Sequence, residues 1–171
     1  MQLVLIFILG YMGSGKTTFG RVIAGQLSYR FLDLDELIEN ETGKRIPVLF
    51  SEFKEDGFRR IEKDVLLQHL DDQDTVIATG GGTPCFSNNM ELMNQRGITV
   101  FLDIGPETIY ARISGEAHLR PILKNISREN RFSFIINHLE ERKFYYNQAK
   151  VILKRDNPEE FRKMLSNYSE T

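Results

Sequence analysis

Short apolar runs alternate along the chain with longer stretches in which apolar residues return every three or four positions. The runs Leu3–Leu9, Arg30–Leu34, Thr75–Ala78, Thr99–Asp103 and Val151–Lys154 are rich in Val, Ile, Leu and Phe, with little polar alternation. That is the pattern of strands covered on both faces. Between them the spacing predicts helices over Thr17–Leu27, Glu36–Thr42, Pro47–Glu55, Gly57–Leu70, Asn88–Gln95, Pro106–Ile113, Ser127–Gln148 and Pro158–Asn167. Phe58, Ile61, Val65 and Leu66 share one face of the fourth. Asn157-Pro158-Glu159-Glu160 reads as a helix start, with an N-cap, a proline at N1 and acids facing the dipole. Strand–helix alternation of this kind means an α/β fold on a parallel sheet. One segment, Ser114–Asn125 (SGEAHLRPILKN), fits neither period. A stretch of this length in a compact chain is either disordered or a functional lid.

Composition narrows the class. The 171 residues fit one domain spanning 1–171, with 41% hydrophobic and 27% charged positions. The 22 basic and 24 acidic residues are interspersed and leave a net charge of −2, so neither nucleic acid nor an anionic membrane is an expected partner. Any anion site must be local. Cys85 is the sole cysteine and cannot form an internal disulfide, which suits a reducing cytoplasmic location. Gln2–Leu9 is apolar but lacks a basic n-region and runs directly into a glycine-rich turn; a buried first strand is expected rather than a signal peptide.

The turn carries the strongest chemistry. Gly10-Tyr11-Met12-Gly13-Ser14-Gly15-Lys16-Thr17 matches the phosphate-binding pattern GxxxxGK[ST] without a mismatch, after an apolar strand and at the opening of a helix. Glycines let backbone amides converge on phosphate oxygens, and the helix N-terminus adds its dipole. Lys16 can reach the β- and γ-phosphates, and the Thr17 hydroxyl can ligate Mg²⁺.

The acceptor side is read from smaller signals. Asp33 and Asp35 close a strand, where period-two geometry turns both to one side at its C-terminal end. For Asp35 alone, capping of the helix that follows is as good a reading as catalysis. The third strand ends Val76-Ile77-Ala78-Thr79 without an acid, so a carboxylate on the Mg²⁺ side must come from elsewhere, and Asp33 is the available one. Thr79-Gly80-Gly81-Gly82-Thr83 lets backbone approach a ligand closely. Arg59 and Arg60 lie about 100° apart on a helix, so only one can face a given site.

Together these motifs resemble the shikimate kinase family over nearly the whole chain. The resemblance rests on GYMGSGKTT at 10–18, DLD at 33–35, FRRIE at 58–62, TGGG at 79–82, RPIL at 120–123 and ER at 141–142. It implies a P-loop kinase fold, a three-layer sandwich with a five-stranded parallel sheet in the order 2-3-1-4-5, a lid near 114–125 and substrate-binding helices near 36–70. It implies transfer of the ATP γ-phosphate to the 3-hydroxyl of shikimate. Asp35 corresponds to the aspartate that contacts the reacting hydroxyl, and Asp33 to the one near Mg²⁺. Arg59 and Arg142 correspond to the pair that grips the shikimate carboxylate. Gly80, Gly81 and Gly82 correspond to the substrate-side glycines, and Arg120 to the lid arginine that reaches the phosphates. The nucleotide site would comprise Gly13, Ser14, Gly15, Lys16, Thr17 and Thr18, with Arg120. Toward adenine it would add Arg155, the basic residue nearest the Asn157-Pro158 step, with Arg112 and Asp156 as the alternatives. A cytoplasmic monomer acting on small molecules is expected.

Two rival readings share the phosphate loop: another small-molecule kinase, such as a gluconate or nucleotide kinase, and a nucleotide-binding regulatory module without catalysis. The survival of Lys16, Thr17, Asp33, Asp35, Arg59, Arg120 and Arg142 argues against the second. His69, His118 and His138 fit no metal spacing. Tyr145 and Tyr146 read as packing residues.

Overall fold

A computed structural model of the chain describes residues 4–115, 121–123 and 126–168. Its strands are β1 (Leu5–Leu9), β2 (Arg30–Asp33), β3 (Thr75–Ala78), β4 (Ile98–Leu102) and β5 (Val151–Leu153). All pairings are parallel, in the order β2-β3-β1-β4-β5. The helices are α1 (Lys16–Leu27), α2 (Leu34–Thr42), α3 (Ile46–Gln68), α4 (Asn89–Arg96), α5 (Pro106–Ile113), α6 (Arg131–Tyr146) and α7 (Pro158–Tyr168).

The central strand shows why the sheet needs two covers. Leu5, Phe7 and Leu9 of β1 pack with Leu34 and Ile38 of α2, Phe58, Val65 and Leu66 of α3, and Met90 and Met93 of α4. Ile6 and Ile8 point the other way, to Phe19 and Ile23 of α1, Ile109 of α5, Leu139 of α6 and Phe161 of α7. A strand buried on both faces cannot alternate apolar with polar, which explains the unbroken run LIFIL. β1 lies between β3 and β4, so the chain changes direction across the sheet at its C-terminal end. Parallel α/β sheets open their ligand crevice at such a switch point.

Most boundaries shift by a residue or two, and three differences bear on the site. The helices expected over 47–55 and 57–70 run together as α3, interrupted at Lys54 (φ 58°, ψ −174°) rather than at residue 56. The helix expected from Ser127 begins at Arg131, after a 3-10 turn over Arg128–Asn130. The chain leaves β2 at Asp33 and enters α2 at Leu34, so strand periodicity never reaches Asp35. At α7 the expected cap is present: Asn157 Oδ1 accepts from the amides of Glu159 and Glu160 at 3.1 and 3.4 Å. Arg120 and His118 lie outside the described residues, as does most of the expected lid. Within that segment Pro121–Leu123 form a 3-10 turn, with Leu123 buried.

Candidate active site

The loop between β1 and α1 is shaped by three glycines at positive φ, Gly10 at 146°, Gly13 at 77° and Gly15 at 95°, which residues with a Cβ rarely adopt. Gly15 caps α1 in the left-handed conformation, so the free amides of that helix open toward the crevice. Lys16 Nζ donates to the Tyr11 carbonyl at 3.0 Å, folded back along the loop. Thr17 Oγ1 donates to Asp33 Oδ2 at 2.7 Å. Thr18 is exposed on α1.

Asp33 has a second duty. Its Oδ1 accepts from the Asp35 amide at 3.1 Å and caps α2. Capping therefore belongs to Asp33, not to Asp35, and Asp35 lies exposed in the first turn of the helix.

Beside the loop lies a cleft of about 360 Å³, lined on its polar side by Asp35, Arg59, Glu62, Arg142 and Gly80–Gly82. Met12, Ile46, Phe50, Phe58 and Ile122 supply an apolar wall. Both arginines are only 8% exposed, whereas Arg60 is exposed, so Arg59 is the member of the pair that faces inward. Its Nη1 donates to Glu62 Oε2 at 2.8 Å, and Glu62 Oε1 accepts from Thr83 Oγ1 at 2.7 Å. Its Cζ lies 4.3 Å from the Phe86 ring centroid, a cation–π contact. A Cβ at Gly82 would collide with this guanidinium, so a larger residue there would displace Arg59 from its present position.

Arg142 projects from α6 with Cζ 5.7 Å from the Tyr11 ring. Tyr11 Oη bonds His138 Nδ1 at 2.9 Å, and Tyr146 Oη donates to the Gly81 carbonyl. These contacts tie the phosphate loop, the glycine turn and α6 to one another. Burial pushes the Tyr11 hydroxyl up to about 12 and the Cys85 thiol up to about 11. Burial, and then the Arg142 charge, pull His138 down to about 4. Tyr146 is also pushed up by burial.

Sequence reasoning missed Glu62, although it sits in the FRRIE motif three residues after Arg59. It read Tyr146 as a packing residue, which its burial in the core bears out, but it missed the partners of His138 and Tyr146, which lie far along the chain and gave no signal. At the other end, Arg112 Nη1 donates to the Gly13 and Ser14 carbonyls at 3.3 and 3.1 Å, and its Nη2 to Asp156 Oδ2 at 2.9 Å. Asp156 makes this contact, while its neighbour Arg155 is exposed. The described residues contain no helix long and apolar enough to cross a membrane.

The site thus has a phosphate loop at one end, two sequestered guanidinium groups at the other and the Asp35 carboxylate on the wall between them. The family profile described as shikimate kinase matches residues 12–170. A shikimate kinase of Phocaeicola vulgatus is 44% identical over 159 residues, covering 93% of this chain and 91% of that one. The crystal structure of a shikimate kinase from Bacteroides thetaiotaomicron superposes with a TM-score of 0.88 at 39% identity, covering 99% of this chain and 100% of that one. A shikimate kinase from Acinetobacter baumannii in complex with shikimate gives 0.88 at 35% identity, covering 97% and 95%.

Proposed function

This chain belongs to the shikimate kinase family, and from that premise we propose how its cleft divides the work of the reaction. The enzyme transfers the γ-phosphate of ATP to the 3-hydroxyl of shikimate, giving shikimate 3-phosphate and ADP. The rival readings, a different small-molecule kinase and a non-catalytic module, find no support in the relatives.

The observation that carries the division is the pair of guanidinium groups, Arg59 and Arg142, sequestered in a cleft that opens onto the phosphate loop. A planar carboxylate is best fixed by guanidinium forks, which a lysine cannot reproduce. Held there, the acceptor's ring lies against Phe58 and Ile46, and the backbone of Gly80–Gly82 lets it approach closely. Asp35 orients the 3-hydroxyl and accepts its proton as the new P–O bond forms. Lys16 leaves the Tyr11 carbonyl to hold the β- and γ-phosphates, and the loop amides take their remaining charge.

The Thr17 hydroxyl and the Asp33 carboxylate are adjoining hard oxygen donors beside the loop, a donor set that fits Mg²⁺. When bound, Mg²⁺ would neutralise charge across the β- and γ-oxygens. Arg120 is assigned to the phosphates on its RPIL motif, and the adenine side to Arg112.

Arg59→Lys and Arg142→Lys test the clamp. Each is expected to raise KM for shikimate with little effect on KM for ATP, at a cost of about 1–3 kcal/mol per site. An effect confined to ATP would move that arginine to the nucleotide side.

A further inference from the structure

Arg59 carries two carboxylates, and they are not equivalent. Glu62, on Nη1, is 1% exposed and anchored at its other oxygen by Thr83, so it is part of the scaffold. Glu55 accepts from Nη2 at the longer distance of 3.2 Å, keeps 54% of its side chain exposed and lines the same cleft. A half-exposed pair of this kind is weak and readily exchanged.

Two further observations bear on that contact. Arg59 Nε is buried with no hydrogen-bond partner among the described residues, and a buried unsatisfied donor is costly. A carboxylate taking Nε together with Nη2 would satisfy it, but Glu55 already occupies Nη2. Glu55 also directly follows Lys54, whose positive φ interrupts α3 in a region that residues with a Cβ rarely enter. Backbone outliers of that kind collect at ligand clamps. The interruption makes Glu55 the first residue of a new helical segment, where the dipole favours an acid. Its charge is therefore compensated when it lets go of Arg59.

We propose that Glu55 is a positioning residue that holds the outer donor of Arg59 until the carboxylate of shikimate displaces it, so that its charge competes with the acid and limits the enzyme's preference for it. This rests on the assignment of Arg59 to the substrate carboxylate.

The test compares kcat/KM for shikimate and for its uncharged methyl ester in the full-length wild type, Glu55→Gln and Arg59→Lys. Glu55→Gln is expected to raise the value for shikimate about two- to fivefold, the range a half-exposed ion pair carries. The value for the ester should stay unchanged, since the ester brings no charge to Arg59. If shikimate gains nothing while Arg59→Lys still impairs it, the competition is overturned and the clamp stands. Equal gains for acid and ester would also overturn it, because they would make Glu55 a steric obstacle. An Arg59→Lys enzyme with unaltered preference for the acid would overturn both assignments.

Discussion

Asp33 and Asp35 stand two residues apart and do different work. Asp33 is occupied at both oxygens, by the Thr17 hydroxyl and the Asp35 amide, so it joins the phosphate loop to the start of α2. The capping contribution, about 1 kcal/mol for such a residue, therefore belongs to Asp33. Asp35 lines the cleft instead. Asp35→Asn keeps size and some hydrogen bonding but cannot accept the proton, and kcat is expected to fall about 10²–10⁴-fold. Steady-state kinetics with a circular dichroism spectrum of the variant are sufficient. A native kcat with lowered stability would reduce Asp35 to a structural residue. Both aspartates were legible in the sequence as a pair, but the reason first given for their shared direction fails. Period two holds only while the strand lasts, and the helix begins at Leu34.

Helix α6 links the two halves of the cleft. It presents Arg142 to the cleft and, one turn earlier, His138 to Tyr11 of the phosphate loop, across 127 residues of chain. The ER at 141–142, through the family resemblance, made the arginine legible; nothing in the local pattern could announce a partner so distant. The same limit explains Lys54, since a lysine gives none of the glycine signal by which a break in a helix is ordinarily read. His138 makes the linkage sensitive to pH. Its ordinary value is 6.5 and its value in the fold about 4, mainly through burial, so as pH falls the unfolded chain takes up the proton first. The contribution of the neutral ring is complete above about pH 6.5 and is lost as pH falls from there to about 4. Chemical unfolding at pH 7.5 and pH 5 should therefore show the wild type losing more stability than His138→Gln over the same interval. Equal losses would mean that the ring titrates normally.

Across the molecule, the sheet was legible because buried parallel strands leave nearly continuous apolar runs, and β1, β3 and β5 begin or end within two residues of their expected limits. Their order, 2-3-1-4-5, came from the family resemblance rather than from periodicity, and the observed pairing agrees with it. That order places the phosphate loop at the switch point, with the cleft proposed for the acceptor beside it. The acceptor's identity rests on the family, and the proposed reading of the cleft is an acid gripped by Arg59 and Arg142 with a hydroxyl turned toward Asp35. Coupled ADP release with ATP and Mg²⁺, measured across shikimate, quinate, gluconate and nucleoside monophosphates, tests this most directly. Shikimate is expected to give the highest kcat/KM by a wide margin. Faster turnover of gluconate or of a nucleoside monophosphate would contradict the assignment of the cleft.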